Sequence, residues 1–323
     1  MYAVETKNLS KEYRYFEKSG GLHASIQALF HRKTHIRKAL SDFSLTLDEG
    51  EFVGLMGPNG AGKTTIIKLL TGIIHPTHGS ASVLGYNPAR GENSFKKKIA
   101  VVMGQKSQLW WDLPAEDSLL LNKAIYSIPD QRYRENIRYF SGLFNVEPYL
   151  KVPVRKLSLG ERMKMELMAS LIHDPRLLFL DEPTIGLDAV AQRQIREMLR
   201  QAGRERGISL LLTSHYTEDL LELTPRVIVI RTGRKVYDGS LEQLLRRYNA
   251  HHTISVQFSS ETAIPPLPHA ETIEQSSYRL CLRTTHEHVQ ECLKSLLDIG
   301  SIEDIRVEDD DVTLLVERVY KDL

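Results

Sequence analysis

The chain has 323 residues, enough for one large domain and a smaller one. Its 42 basic and 41 acidic side chains leave a formal net charge of +1, which supplies no general field for nucleic acid. Two cysteines, Cys281 and Cys292, exclude a disulfide framework and are expected as buried free thiols in a reducing compartment. No apolar run reaches the ~18 residues of a membrane span and the N-terminus has no signal-peptide pattern, so a soluble cytoplasmic chain is expected.

In chain order, residues 1–16 and about 39–86 read as strands around a glycine-rich loop. Residues 17–38 read as an insertion whose end, 31–38, holds six basic or histidine side chains in eight. A solvated face is the ordinary reading of such a run; contact with anionic headgroups or a partner's acidic face is the alternative. Residues 51–56 read as a buried strand and 64–70 as an apolar helix. Between them Gly57-Pro58-Asn59-Gly60-Ala61-Gly62-Lys63-Thr64-Thr65 matches G-x-x-x-x-G-K-[ST] throughout. Glycines at these places let backbone N–H groups turn inward around phosphates, with Lys63 reaching the β- and γ-phosphates and Thr64 placed to ligate Mg²⁺.

A strand over 99–103 leads to Gln105 and then to Leu109-Trp110-Trp111-Asp112-Leu113-Pro114, which holds both tryptophans of the chain. Residues 106–172 are expected to be helical, with amphipathic stretches at 117–126 and 131–144. Leu157-Ser158-Leu159-Gly160-Glu161-Arg162 opens a further apolar-periodic helix over 163–172. A Ser and Gly at a helix N-terminus make a second anion site, for which the chain's own phosphate loop has no need. The apolar strand 177–182 ends in Asp181, placed beside the loop to hold Mg²⁺ through water, and Glu182, free to take a proton from an attacking water. Two carboxylates ending an apolar run could otherwise cap the next element. Thr184-Ile185-Gly186-Leu187-Asp188 follows, and the strand 208–213 ends in Ser214-His215. A histidine after a strand is by itself most often a satisfied structural residue; here its place after the carboxylate pair points to function.

Beyond residue 245 the pattern changes. Segments 253–258, 278–282, 302–307 and 312–316 read as strands, 286–299 as a helix, and the proline-rich 264–268 as a connector, which together describe a small α+β domain over 246–323 with no motif that identifies a ligand.

The ordered set of motifs over residues 1–245 resembles the ATP-binding subunits of ABC transporters. The resemblance implies an α/β P-loop NTPase fold of the ABC ATPase type, with a β-subdomain and a helical subdomain. It also implies binding and hydrolysis of MgATP in a head-to-tail homodimer, or a heterodimer with a paralogue. Carried over residue by residue, it makes Tyr13 the adenine-stacking aromatic, with Tyr15 and Phe16 nearby as alternatives. Gln105 becomes the sensor of Mg²⁺ and water, Ser158, Gly160 and Glu161 the contact to the γ-phosphate held by the opposite subunit, Glu182 the general base, Asp188 the residue communicating across the dimer, and His215 the γ-phosphate switch. Two departures stand in the signature: Leu159 where Gly is usual, and Glu161 where Gln is usual. The basic insertion, the run from Gln105 to Pro114 and Leu159 together look like a bacterial exporter-type subgroup with separately encoded permeases. That places the chain on the cytoplasmic face of the membrane with a multi-span partner docked near Gln105–Pro114, where the tryptophan pair is expected as an interface anchor more than as core. A soluble nucleotide-dependent regulator without a permease is the alternative.

Overall fold

The computed structural model describes residues 2–16, 34–104, 106–248, 251–261, 267–299, 302–309 and 319. The chain divides into two compact units, 1–239 and 240–323.

The first unit is built on a six-stranded sheet of order β5-β6-β7-β3-β8-β9. Its strands are β3 (Phe52–Met56), β5 (Ile99–Met103), β6 (Leu177–Asp181), β7 (Ser209–Thr213), β8 (Arg226–Arg231) and β9 (Arg234–Ser240). The unbroken apolar runs Leu-Leu-Phe-Leu and Leu-Leu-Leu in β6 and β7 belong to strands covered on both faces, and Leu177–Leu180 and Leu210–Leu212 are all buried. β5, β6, β7, β3 and β8 pair in parallel, with Met103 opposite Asp181, Asp181 opposite Thr213, and Leu55 opposite Thr213. This register brings the carboxyl ends of four strands to one edge, where ligands of open parallel sheets bind.

A three-stranded antiparallel sheet of order β2-β1-β4 lies in the same unit, from β1 (Tyr2–Phe16), β2 (Thr34–Asp48) and β4 (His78–Val83). Phe43, Leu45 and Leu47 of β2 share one buried core with Ile66, Ile67 and Leu70 and with Phe179 and Ile228 of the large sheet. The expected insertion is corrected at its end: 34–38 is strand, paired with β1 through Arg37 opposite Tyr13. Backbone hydrogen bonding to a neighbouring strand has outweighed the charged composition. The rest of that segment, 17–33, lies outside the described residues. Two smaller boundaries also shift: β6 stops at Asp181, one residue short of Glu182, and the helix at the signature starts at Leu159.

Helices Ala115–Tyr126, Asp130–Phe144 and Leu159–Leu171 form the helical part. Buried Asn136 donates to Ile172 O and Asp174 Oδ2, both at 2.9 Å, tying the second of these helices to the end of the third.

In the second unit, helix Leu241–Tyr248 precedes a four-stranded antiparallel sheet of order β11-β12-β10-β13. These are β10 (His251–Phe258), β11 (Ala270–Gln275), β12 (Arg279–Thr285) and β13 (Ile302–Asp309). Helix Val289–Ile299 buries Cys292 and Leu296 against Ile254, Val256, Leu280 and Leu282. Strand β11 was not anticipated from sequence, because five of its six residues are exposed and carry no apolar alternation. The expected strand at 312–316 lies outside the described residues. Cys292 is buried and Cys281 half-buried, both as free thiols.

Candidate functional site

The turn from β3 into helix Lys63–Leu70 is the centre of the site. Gly57 and Gly62 have φ of 151° and 114°, and a Cβ on them would lie 2.3 Å from Ile230 O and 2.8 Å from Ala39 O. Only glycine lets the chain turn this tightly between two neighbouring backbones. The first N–H groups of the following helix have no intrahelical acceptor and face the turn, with the positive end of the helix dipole behind them. A cavity of about 690 Å³ opens there, lined by Asn59–Thr65, Tyr13, Tyr15, Arg37, Ala39 and Glu182. The cradle, its size and its cation suit a nucleoside polyphosphate.

Lys63 is buried, and its Nζ donates to Gly57 O at 2.6 Å and Pro58 O at 3.3 Å. Burial lowers the Lys63 ammonium from its usual value, opposed by the carboxylates of Glu182 and Asp181. Thr64 Oγ1 donates to Asp181 Oδ2 at 2.9 Å, and Thr213 Oγ1 donates to Asp181 Oδ1 at 2.6 Å. A hydroxyl and a carboxylate in contact beside a phosphate cradle are the all-oxygen donor set that Mg²⁺ takes together with substrate oxygens.

Glu182 follows in the left-handed region at φ 56°, its N–H held by Thr213 O at 3.0 Å and Thr213 Oγ1 at 3.2 Å. A non-glycine residue held there costs about 1–3 kcal/mol and is typical of functional positions. The bend leaves the strand and turns the carboxylate into the cavity, where Oε1 lies 2.8 Å from His215 Nε2. Sequence reasoning placed these two residues in order along the chain; their contact is a finding of the structure.

Behind them is a buried polar network that sequence reasoning missed. The Asp219 carboxylate accepts from Ser214 Oγ at 2.6 Å, from Arg196 at 3.0 Å and from Thr184 Oγ1. Arg196 also pairs with Glu222 at 3.0 Å. The segments after Glu182 and before His215 are thus fixed to each other and to helix Ala189–Arg206, whose N-cap is Asp188, accepting from Ala191 N at 2.8 Å.

Tyr13 and Tyr15 both line the cavity; Tyr15 is stacked on His35 at 5.5 Å, and Lys11 Nζ stands 5.3 Å from the Tyr13 ring. Arg37, read from sequence as part of a surface basic run, is a wall of the cavity. The signal that could have found it is the pairing of the two strands, which sets Arg37 across from Tyr13.

A separate cavity of about 280 Å³ is lined by Ser158, Leu159, Gly160, Glu161 and Gly186–Asp188, and shares no residue with the first. Ser158 caps its helix by accepting from Glu161 N at 3.3 Å, while Glu161 Oε2 accepts from Ser158 N at 2.8 Å. Glu161 therefore does for the helix end what a glutamine would, and the Ser158 N–H holds its carboxyl below the usual range. The second departure also has a place: the Leu159 side chain reaches Gly186, where an added Cβ would meet it at 3.3 Å.

Gln105 lies outside the described residues. The segment after it hangs on Glu166, a carboxylate 3 % exposed inside the signature helix. Glu166 accepts from Ser107 Oγ at 2.5 Å and from Gln108 N at 2.9 Å. Val154 N and Arg155 N donate to Leu113 O and Trp111 O, both at 3.0 Å, joining the tryptophan segment to the approach to Ser158. Trp110 and Trp111 are 58 % and 51 % exposed, which excludes a core role, and Leu113, Leu120, Leu121 and Ile125 add exposed apolar surface.

A phosphate loop, a parallel strand ended by carboxylates and a histidine bonded to the second of them define a P-loop nucleotide-binding fold. Comparison with known proteins narrows this. Residues 40–185 match the ABC transporter family model. The chain is 34 % identical to the ABC transporter ATP-binding protein NatA of Bacillus subtilis (strain 168) over 67 % of this chain and 87 % of that protein. It is 33 % identical to the Nod factor export ATP-binding protein I of Sinorhizobium fredii over 80 % of this chain and 77 % of that one. A solved ATP-binding subunit of an ABC transporter superposes with a TM-score of 0.62 at 25 % identity, covering 76 % of this chain and 93 % of that chain. A dimeric post-hydrolysis cassette bound to ADP and Pi shares the fold, with a TM-score of 0.60 at 22 % identity, covering 74 % of this chain and 98 % of that one. The chain belongs to the ATP-binding subunits of ABC transporters, a family of ATPases. Among the described residues no helix is long and apolar enough to cross a membrane.

Proposed function

We propose that two copies of this chain, or one copy and a paralogue, close head to tail on MgATP and thereby drive a separate permease, an exporter, from the cytoplasmic face of the membrane. The observation that carries this reading is one cavity lined by Lys63, Thr64 and Glu182, with Asp181 bonded to Thr64 and His215 to Glu182, and the Ser158–Glu161 surface on another cavity. A signature that shares no lining residue with its own phosphate loop is available to a second chain. Export rests on relatives whose names include Nod factor export and bacitracin transport.

In this reading the adenine stacks on Tyr13, and the phosphates lie in the amide cradle of Gly57–Thr65. Lys63 leaves its backbone acceptors for the β- and γ-phosphates. Thr64 and Asp181, with Gln105, would hold Mg²⁺, which when bound neutralises charge on the phosphate oxygens. Glu182 takes the proton of the attacking water, while His215 fixes its carboxylate and faces the γ-phosphate. Ser158 and Gly160 of the opposite chain cover that phosphate, and Asp188 communicates closure across the dimer. Catalysis then comes from positioning and from donors preorganised for the transition-state charge. The ATPase domain, expected over 1–245, corresponds to the first unit, 1–239, and the second unit, 240–323, is the accessory domain. The exposed Trp110–Leu113 surface receives the permease.

The test is recovery of a tagged Glu182→Gln variant from membranes with ATP and Mg²⁺. Loss of the base should slow turnover by about 10²–10⁴-fold and leave an ATP-bound dimer attached to a multi-span partner. Normal turnover refutes Glu182 as the base, and recovery of a soluble dimer alone refutes the permease.

A further inference from the structure

The second unit holds five of the chain's twelve histidines: His251, His252, His269, His286 and His288. From two of them and a glutamate we propose a binding site for a divalent transition-metal ion of the zinc class, formed by His269, His288 and Glu291. Among the described residues these three are the one group whose ligand atoms, a nitrogen from each ring and a carboxylate oxygen, all lie within 4.8 Å of one another.

Local structure brings them together from two directions. Strand β12 ends at Thr285, a turn follows over His286–His288, and the helix begins at Val289. His288 and Glu291, three residues apart, therefore stand on one face of the first helical turn. His269 arrives from the turn before β11. Its position is pinned by the pairing of Ala270 with Thr284 and by Thr284 Oγ1 donating to His269 O at 2.8 Å. The His269 backbone is left-handed, with φ 61°, and its ring stacks on His288 with centroids 4.2 Å apart and planes 15° from parallel.

A supporting residue completes the arrangement. Thr285 Oγ1 lies 2.8 Å from His288 Nδ1. With Nδ1–H donating to that hydroxyl, Nε2 presents its lone pair, the orientation imposed on metal-bound histidines by their outer partners. Metal bonds of about 2.0–2.2 Å place tetrahedral ligand atoms roughly 3.3–3.5 Å apart, and imidazole lone pairs lie in the ring plane, so closure needs side-chain shifts of about an ångström or more together with rotation of one ring out of the stack. Two imidazoles and one carboxylate, with a fourth position left to water, suit zinc and its neighbours and disfavour Mg²⁺ and Ca²⁺. Cys292 is no part of the set; it is buried, with Sγ directed to Pro268 O and Thr284 Oγ1. Among the described residues the group of three does not include the His252–His286 pair, joined at 2.7 Å, which serves as an internal control.

The experiment uses the full chain without a histidine tag, freed of metal by chelator. It is titrated with ZnCl₂ by calorimetry and with Co²⁺ by visible absorption. About one equivalent should bind, with the d–d bands of a four- or five-coordinate N,O site. Glu291→Gln and His269→Gln, both at exposed positions, should abolish saturable binding while leaving far-UV circular dichroism unchanged. Thr285→Val should weaken affinity by about 10–100-fold. His252→Gln with His286→Gln should leave it intact. No saturable binding, binding unchanged in Glu291→Gln and His269→Gln, or binding lost only in the His252/His286 pair overturns the proposal.

Discussion

Replacing Asp219 with alanine removes the carboxylate on which Thr184, Ser214 and Arg196 converge. Side chains of Asp219 and Arg196 are only 1 % and 7 % exposed, so this is a buried pair and not a surface salt bridge. Breaking such a pair from one side costs about 3–5 kcal/mol, because the remaining charge stays buried. Glu222 keeps one bond to the guanidinium, which argues for the lower end; Arg196 Nε, already buried without a partner, argues against further relief. The two hydroxyls lose the same acceptor, so their penalties overlap and do not simply add. About 3 kcal/mol in a unit of this size corresponds to a fall in Tm of roughly 6–12 °C. Differential scanning calorimetry on the nucleotide-free chain reads it. The double variant Arg196→Met with Asp219→Leu should recover part of the loss, since no buried charge is left unpaired. A fall below about 3 °C for Asp219→Ala would refute the claim that the network is held by its buried charge pair.

Burial raises the Glu166 carboxyl above its ordinary 4.5, against the opposing hydrogen bonds from Ser107, Gln108 and Leu109. A raised native value means stability is fully present below the unfolded-state titration and is lost as pH rises through the native one. Melting curves from about pH 4.5 upward should therefore show a decline in wild type relative to Glu166→Gln, and parallel curves would contradict it. Trp110→Ala with Trp111→Ala should change stability by no more than about 1 kcal/mol and spare basal hydrolysis, while permease capture from membranes is lost. Retained capture would remove this surface from the interface.

The phosphate loop was legible because its chemistry fixes residue types at fixed spacing. The central strands were legible because β6 and β7 are apolar without interruption. What escaped reading depends on contacts between distant segments. Arg37 joins the cavity wall through strand register, and Asp219 meets Arg196 across helices separated by β7. Glu166 left a trace: a charge three residues after Met163 and four before Ser170, on a helix face otherwise destined for burial. Gln105, central to the family resemblance, stands outside the described residues, so its part rests on its place after β5.

Glu166 also sets a mechanical ratio. It grips the tryptophan-bearing segment eight residues along the helix from Ser158 (166 − 158), and the approach to Ser158 is bonded to Trp111 and Leu113. Eight residues of helix make an arm of about 12 Å, so a 10° tilt about that grip carries Ser158 through roughly 2 Å. That is most of a hydrogen-bond length. In the proposed reading a small push on the indole pair would be geared into making or breaking contact at the far end of the helix.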